Sequence, residues 1–276
     1  MKKVLIVGGV AGGASTAARL GRLDENLEII MFERGEYVSF ANCGLPYHIG
    51  GVIQNRESLL IQTPESLKAR FNLDVRVNSE VVGINGKDKK VKVKTKNGEE
   101  YEENFDFLVL APGAKSILPV VKGIENKKIF TLRNINDMDK IKSEIKNHNI
   151  KKATVVGGGY VGVETAENLK HLGIDTTLIE AAPHILAPFD SEISNILEYE
   201  LVDNGINLLI SEKVTEFQED KDEVIIKFES GKSVTTDMVI FSIGVSPDTK
   251  FLQNSGINLG ERGHILVNEK TLYFID

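Results

Sequence analysis

The sequence predicts an α/β protein with two similar strand–helix–strand units, each built on a parallel sheet with a small antiparallel insertion. Three observations predict this fold. An apolar run, a glycine-rich turn and a segment with helical spacing begin at Lys3, and the same order begins again at Ala153. Each helical segment is followed by a short apolar stretch that ends in an acid, at Glu33 and at Glu180. Strand-rich sequence then follows each unit, and β-branched strands that alternate with helices are typical of parallel βαβ units.

Length and composition fit two domains of ordinary size, because 276 residues suffice for two separate cores. The net charge is −7 and no long basic block interrupts it, so nucleic acid and anionic membranes are poor candidate partners. No apolar run reaches the roughly 20 residues of a membrane-spanning helix. The glycines in the apolar start also argue against a secretory signal. A single cysteine excludes an internal disulfide and favours a reducing, cytoplasmic location. We assign no metal site.

Short strand patterns separate the two units and follow the second. They occupy residues 75–77, 91–95, 105–111 and 228–239. Asn97-Gly98 and Ser230-Gly231 are turn signals within these segments, and they predict antiparallel hairpins inserted into each unit. The predicted domains are 1–118, 119–245 and a return of the chain to the first domain over 246–276.

The second glycine turn has the complete pattern of a dinucleotide-binding loop, with Gly157, Gly159 and Gly162 between a strand and a helix. Such a turn lets the backbone approach a pyrophosphate and directs helix N–H groups at it. Glu180 follows at the distance expected of an acid that binds a ribose hydroxyl, and its charge disfavours a 2′-phosphate. The sequence therefore predicts NADH rather than NADPH at this loop, the alternative being a tight turn that binds nothing.

The first glycine turn departs from this pattern at its centre, where Val10 replaces the middle glycine. Its residues are Gly8, Gly9, Val10, Ala11, Gly12 and Gly13. Glu33 nevertheless follows at the spacing of a ribose contact. Because the second turn duplicates this arrangement, we interpret the first turn as a second dinucleotide site.

The only cysteine, Cys43, follows the second strand of the first unit by ten residues. Ligands of open parallel sheets bind at the carboxyl ends of the strands, so this position places the thiol on the ligand side. Ser39 is a candidate N-cap of a short helix whose first turn would contain Cys43, and a helix N-terminus favours a reactive thiolate. The alternative is a buried, inert cysteine.

Several motifs resemble a known family. They are Gly8-Gly-Val-Ala-Gly-Gly13, Ser39-Phe-Ala-Asn-Cys-Gly-Leu-Pro-Tyr-His-Ile-Gly-Gly51, Gln62-Thr-Pro-Glu65, Thr131-Leu-Arg133, Tyr160-Val-Gly-Val-Glu164 and Ile243-Gly-Val-Ser-Pro247. Together they resemble the branch of coenzyme A disulfide reductases and single-cysteine NADH oxidases within the FAD-dependent pyridine nucleotide-disulfide oxidoreductases. The resemblance implies two Rossmann-like domains that bind FAD and NADH, and a flavoprotein enzyme, an NAD(P)H:disulfide oxidoreductase.

The resemblance also implies roles for individual residues. Cys43 is the nucleophile that forms a mixed disulfide with coenzyme A. Tyr160 covers the flavin until nicotinamide arrives, and Glu164 lies near the nicotinamide. The candidate substrate residues are Ser15, Arg19, Arg22, Ser39, Asn42, Gln62 and Thr63. Further candidate cofactor residues are Arg34, Asn42, Val81, Ala111, Gly113, Arg133, Val161 and Gly244. Arg19 and Arg22 also share a helical face at i, i+3, where they would meet phosphates, unless they are ordinary solvated charges.

The sequence departs from the family pattern at several positions. His48 stands where dithiol members carry a second cysteine, and Ala11 stands where peroxidase and oxidase members carry a histidine. Ala111-Pro-Gly113 replaces the usual Ala-Thr-Gly near the flavin. The family continues to a Gly-Asp flavin motif and an interface domain that forms homodimers, whereas this sequence ends at Asp276. We therefore expect a truncated chain that lacks part of the flavin site and the interface domain.

Three functions remain open from the sequence. The first is NADH-driven reduction of coenzyme A disulfide, or of a related small disulfide or persulfide, through one redox cysteine. The second is an NADH oxidase, which shares nearly every motif. The third is a nucleotide-binding fragment without turnover.

Overall fold

The computed structural model describes residues 1–270, which form two compact units. The first unit contains residues 1–41, 60–115 and the described residues from 246 onward, and the second contains residues 42–59 and 116–245. Residues 42–59 therefore belong to the second unit, although the sequence placed them in the first domain. The expectation of a truncated chain concerns the end of the sequence, and residues 271–276 lie outside the part of the chain that the structure describes.

The secondary structure alternates strands and helices in both units. The helices are α1 (Ala11–Leu23), α2 (Leu45–Ile49), α3 (Pro64–Phe71), α4 (Ile135–His148), α5 (Tyr160–His171) and α6 (Ser191–Asp203), with 3-10 turns at Asn42–Gly44, Arg56–Leu59 and Lys250–Leu252. The strands up to the crossing are β1 (Lys2–Val7), β2 (Leu27–Phe32), β3 (Asp74–Arg76), β4 (Ser79–Asn85), β5 (Lys90–Thr95), β6 (Glu100–Asn104), β7 (Phe107–Leu110) and β8 (Ala114–Ser116). The remaining strands are β9 (Ile129–Thr131), β10 (Lys152–Val156), β11 (Asp175–Ile179), β12 (Asn207–Leu209), β13 (Val214–Asp220), β14 (Glu223–Phe228), β15 (Ser233–Thr236), β16 (Met238–Phe241) and β17 (Val245–Pro247).

The first unit is built on a parallel four-stranded sheet in the order β3-β2-β1-β7. Alternate side chains of β1 and β2 enter different cores, as the two-residue period of a strand requires. Val4 and Ile6 pack with buried residues of α1 and α3, whereas Leu5 and Val7 pack against the antiparallel sheet β4-β5-β6. Both faces of the parallel sheet are therefore covered, which explains the continuous apolar run at residues 4–7.

The second unit repeats this plan with five parallel strands in the order β12-β11-β10-β16-β9. One face packs on the antiparallel sheet β13-β14-β15 through a cluster that includes Val156, Phe217 and Phe241. Helices α4 and α5 contact strands of the same parallel sheet. Ile141 of α4 and Leu169 of α5 are fully buried.

The observed architecture confirms the predicted α/β fold class with two parallel sheets and two small antiparallel insertions. Gly98 and Gly231 both adopt positive φ in the turns after β5 and β14, as the turn signals predicted. Residues 74–76, however, form an edge strand of the parallel sheet and not part of the insertion. Among the described helices, none combines the length and the apolar character that crossing a membrane requires.

Candidate functional site

The first glycine turn lies at the carboxyl end of the first parallel sheet, because β1 and β2 end side by side with Val7 opposite Phe32. Gly8 adopts φ +99°, and a Cβ there would lie 2.0 Å from the Ala111 carbonyl oxygen. A Cβ on Gly13 would lie 1.7 Å from the Gly8 carbonyl oxygen. Both positions therefore need glycine for the fold of the turn itself.

Glu33 is held in place by this turn. Its carboxylate oxygens accept hydrogen bonds from the backbone N–H groups of Gly9 and Gly35, each at 2.8 Å. A carboxylate has about four lone-pair positions, so roughly two acceptor positions remain for ribose hydroxyls. The two amide contacts fix the Glu33 side chain at the edge of the turn.

The second glycine turn has the same construction at the carboxyl end of the second sheet. Glu180 accepts from the backbone N–H groups of Gly158, at 2.6 Å, and Ala182, at 2.7 Å. A Cβ on Gly162 would lie 1.8 Å from the Gly157 carbonyl oxygen. A Cβ on Gly159, in contrast, would meet no protein atom of the described chain within 4 Å. Gly159 therefore borders open space, which is the property of a cradle that a phosphate group fills.

Each turn ends at a helix N-terminus at the carboxyl end of its own parallel sheet. Val10 precedes α1 and Gly159 precedes α5, and within residues 1–270 neither helix receives a side-chain cap at its first turn. Uncapped N–H groups and the positive end of the helix dipole favour an anion. The two helix starts therefore suit two pyrophosphates.

Four further candidate cofactor residues lie in the first unit. Arg34 forms an ion pair with Asp248. Ala111 donates its N–H to the Val7 carbonyl, and the Gly113 carbonyl accepts from the Asp248 N–H. Val81 packs inside the core that β1 and β2 share with the antiparallel sheet, so only its backbone is available to a ligand.

The remaining candidate cofactor residues lie in the second unit. Tyr160 is 56% exposed and packs edge-to-face against Phe189, and Val161 is also exposed. Arg133 follows β9, and the carbonyl of Gly244, after β16, accepts from the Ile117 N–H. Burial first, and then the charge of Glu167, raises the pKa of Glu164 above its usual range.

Cys43 is exposed, which excludes the alternative of a buried packing residue. It lies in the 3-10 turn Asn42–Gly44, two residues before α2 begins at Leu45. The predicted cap at Ser39 is wrong: the N-cap of α2 is Gly44, and Ser39 has φ +46° with its N–H bonded to the Gly9 carbonyl. A left-handed residue five positions before Gly44 cannot supply the side-chain cap.

The segment that carries Cys43 is anchored to helices α4 and α5 within the second unit. The Lys142 ammonium donates to the His48 carbonyl at 2.7 Å. A Cβ on Gly50 would lie 2.3 Å from the buried Asn168 side chain, so this close approach requires glycine. His48, at the position where dithiol relatives carry cysteine, is buried and its Nδ1 lies 2.6 Å from the Ile53 carbonyl. These contacts fix the backbone on which the thiol is presented.

One ion pair and one tyrosine complete this neighbourhood. Arg56 binds Asp139 of α4, with Nη2 2.7 Å from Oδ2. Tyr47 has a raised pKa, caused first by the charge of Glu164, then by burial, by Glu167 and by the Cys43 thiolate. The charges of Glu164 and of the Cys43 thiolate therefore both act on the Tyr47 hydroxyl.

A cavity of about 290 Å³ opens in the first unit between α1, α3 and the segment at residues 39–40. Its walls include four of the predicted substrate residues, which are Ser15, Arg22, Ser39 and Gln62. They also include Arg70 and Phe71, which the sequence analysis missed, although Arg70 lies on the helix that the Gln62-Thr-Pro-Glu65 motif begins. Two guanidinium groups with neutral polar side chains suit an anionic ligand.

The other predicted substrate residues lie elsewhere. Arg19 is exposed on α1 outside the cavity wall, and Asn42 belongs to the second unit. Thr63 is the N-cap of α3, where its hydroxyl accepts from the Ser66 N–H and the Ser66 hydroxyl accepts from the Thr63 N–H. This capping box gives Thr63 a role in the fold.

Comparisons with known proteins assign the chain to a family. The profile of the family described as pyridine nucleotide-disulphide oxidoreductase matches residues 2–272. The chain therefore belongs to the pyridine nucleotide-disulphide oxidoreductase family.

Individual relatives place the chain more closely within this family. It is 36% identical over 271 residues to the coenzyme A disulfide reductase of Staphylococcus haemolyticus, covering 98% of this chain and 60% of that protein. The structure of reduced Bacillus anthracis CoADR-RHD superimposes with a TM-score of 0.94 at 48% identity, covering 97% of this chain and 48% of that one. The NAD-dependent persulfide reductase from A. fulgidus superimposes with a TM-score of 0.92 at 33% identity, covering 96% of this chain and 50% of that one. The chain thus spans about half to three-fifths of the length of these relatives.

Proposed function

We propose that this chain is the FAD- and NADH-binding part of a reductase that uses Cys43 to reduce coenzyme A disulfide, or a related small disulfide or persulfide. The observation that carries the proposal is an exposed, unique thiol in a protein with two dinucleotide turns. One relative is named a coenzyme A disulfide reductase and another a persulfide reductase, and these names support the same substrate class. We also propose a cytoplasmic location, which rests on the single cysteine. Homodimer formation is a further part of the proposal and rests on the family resemblance.

The residues of both turns fit the two cofactors. Gly8 to Gly13 and Glu33 would hold FAD, and Gly157 to Gly162 and Glu180 would hold NADH. When bound, FAD accepts a hydride from NADH and supplies two electrons for disulfide reduction. Tyr160 is exposed at the start of α5, where an aromatic ring can shield a neighbouring cofactor and move aside.

Cys43 supplies the covalent step. Its thiolate attacks one sulfur of the substrate disulfide, which releases one coenzyme A thiolate and leaves the other coenzyme A joined to Cys43. Two electrons, which bound FAD would supply after reduction by NADH, would cleave this mixed disulfide, release the second coenzyme A as a thiol and regenerate the Cys43 thiolate. The sum is NADH, one proton and coenzyme A disulfide converted to NAD⁺ and two coenzyme A thiols.

An anaerobic absorbance titration tests the proposed function. We expect the FAD-loaded protein to be bleached by NADH and its absorbance to return when coenzyme A disulfide is added. The Cys43→Ser variant should be bleached equally but should not recover with the disulfide. Recovery with oxygen alone, and not with the disulfide, would assign the protein to the NADH oxidases instead.

We also expect a preference for NADH over NADPH of roughly tenfold or more in dissociation constant, because the fixed carboxylate of Glu180 repels a 2′-phosphate. Glu180→Gln removes this charge while keeping the side-chain length, so the preference should shrink to a few-fold. Glu33→Gln, the matched change at the first turn, should leave the ratio of the two dissociation constants unchanged. Equal binding of NADH and NADPH to the unaltered protein, measured by calorimetry, would contradict the assignment of Glu180.

A further inference from the structure

Two aromatic rings pair at the start of α5 in the second unit. The ring centroids of Tyr160 and Phe189 lie 6.1 Å apart with 76° between the ring planes, which is the edge-to-face arrangement that aromatic pairs favour. Both rings remain exposed to solvent. Tyr160 is the first residue of α5, and Phe189 lies in the loop between β11 and α6 that also begins with Glu180. We call Tyr160 and Phe189 the aromatic pair.

The backbone that carries Phe189 is fixed by contacts within the second unit. The Leu186 N–H donates to the Gly158 carbonyl at 2.8 Å, and the Phe189 N–H donates to the Leu186 carbonyl at 2.9 Å. Ile185 is fully buried, and a Cβ on Gly158 would lie only 2.8 Å from its Cγ2. The Glu198 carboxylate on α6 accepts from the Ile185 N–H at 3.0 Å. The loop is therefore bound to the glycine turn on one side and to α6 on the other, and it presents the Phe189 ring from a held position.

A dinucleotide bound at the second glycine turn would pass the aromatic pair. With its adenosine ribose at Glu180 and its pyrophosphate at Gly159, as the proposed function has them, the remaining half of the ligand continues beyond Gly159. Tyr160 is the next residue of the chain, and its ring is exposed at this point. The nicotinamide half and the Tyr160 ring therefore compete for the space at the start of α5.

We propose that Phe189 is a positioning residue that holds the Tyr160 ring in the path of the nicotinamide ring. Binding of a nicotinamide dinucleotide then requires the aromatic pair to separate. ADP-ribose has the same adenosine and pyrophosphate but no nicotinamide, so it leaves the pair intact. Separation of an edge-to-face pair weakens binding roughly twofold to tenfold. The inference rests on the assignment of NADH to the second turn, and it adds a resting position of Tyr160 that Phe189 sets.

Calorimetric binding of NAD⁺ and of ADP-ribose to the full chain, with FAD added, tests this proposal. NAD⁺ replaces NADH because it carries the nicotinamide ring but does not reduce the flavin. Phe189→Leu keeps an apolar side chain and removes the ring, so the dissociation constant of NAD⁺ should fall roughly twofold to tenfold while that of ADP-ribose stays unchanged. Phe189→Tyr keeps a ring and should match the unaltered protein for both ligands.

Tyr199→Leu is the matched control for loss of an exposed ring. Tyr199 is exposed on α6, and within the part of the chain that the structure describes it pairs with no other ring. This change should alter neither dissociation constant. The effect of Phe189→Leu should also disappear in a Tyr160→Leu background, because no aromatic pair remains there to separate.

A tryptophan reporter follows the ring at position 160 directly, because the sequence contains no tryptophan. In Tyr160→Trp, the fluorescence emission should change when NAD⁺ is added and stay unchanged when ADP-ribose is added. This readout measures movement of the ring and does not depend on turnover.

Unchanged or weaker NAD⁺ binding in Phe189→Leu, or an equal change for ADP-ribose, would overturn the proposal. An emission that responds equally to both ligands would overturn it too. Failure of both ligands to bind the unaltered protein would reject the NADH site of the proposed function, and the role of Phe189 with it. Binding of both ligands without a coenzyme A adduct at Cys43 would instead reject the proposed disulfide reduction alone.

Discussion

Coenzyme A disulfide is expected to leave one coenzyme A attached to the folded chain, at Cys43. The thiol is exposed, and it is the only cysteine in the sequence, so exchange has one available position. The backbone that presents it is held by Lys142 and by the tight contact between Gly50 and Asn168, so the thiol should react in the native state. Intact-mass spectrometry of the native protein measures the adduct, and Cys43→Ser should abolish it completely.

The same adduct should persist when NADH is supplied without FAD. The sequence holds no second cysteine to resolve the mixed disulfide, and His48 stands where dithiol relatives carry one. Release therefore needs electrons from reduced flavin or an added thiol. Addition of FAD together with NADH should release coenzyme A, while either one alone should not. A thiol that is unmodified in the folded chain, yet reacts after denaturation, would defeat the catalytic assignment of Cys43.

The two nucleotide turns were predictable from the sequence because the glycines and the acid that define each turn lie within one strand–helix–strand unit. Glycine is required where the turn bends or a helix crosses a strand, as at Gly8 and Gly13, and the acid follows within one strand–helix–strand unit. The pairing of Gly9 with Glu33 joins residues only one such unit apart. A repeated local pattern then predicts both the fold class and the position of each turn.

The surroundings of Cys43 were not predictable in the same way. The prediction of a Ser39 cap was wrong because the backbone of Ser39 adopts a left-handed conformation and its N–H donates to the Gly9 carbonyl. No local sequence pattern indicates either feature. The contacts that hold the cysteine segment join His48 to Lys142 and Arg56 to Asp139, across more than 80 residues. Such pairs depend on which helices pack together, and propensity or spacing does not specify that choice.

The cavity-wall residues Arg70 and Phe71 were missed for a related reason. Arg70 and Phe71 follow a clear helix start at Thr63, but their importance arises only where α3 meets α1 at Gly21. From sequence alone, Arg70 is one more charge at a helix C-terminus, where a basic residue is common. The meeting of two helices converts it into part of a cavity wall.

Two glycines of the second turn, Gly162 and Gly159, should respond differently to the same substitution. In Gly162→Ala the new Cβ would lie 1.8 Å from the Gly157 carbonyl oxygen, so backbone must move. Overpacking of this kind costs about 3 kcal/mol or more, which lowers the melting temperature of a protein this size by roughly 6–10 °C. We therefore expect Gly162→Ala to be a folding mutant, with NADH binding lost because the turn itself is displaced. Differential scanning calorimetry measures the shift.

Gly159→Ala should instead leave the fold nearly intact and still weaken NADH binding. The new Cβ meets no atom of the described chain within 4 Å, and the backbone at φ −77° and ψ 179° is accessible to alanine. Loss of a favourable N-cap residue costs at most about 1 kcal/mol, so the melting temperature should fall by no more than roughly 4 °C. The methyl group would, however, occupy the space that a pyrophosphate needs in order to approach the turn, and the dissociation constant of NADH should rise roughly tenfold or more. A Gly159→Ala protein that binds NADH as tightly as the unaltered chain would mean that the open space beside this glycine is not where the phosphates lie. We expect Gly162→Ala to lose both stability and binding, and Gly159→Ala to lose binding alone. This difference would distinguish the glycine that builds the turn from the one that faces the nucleotide.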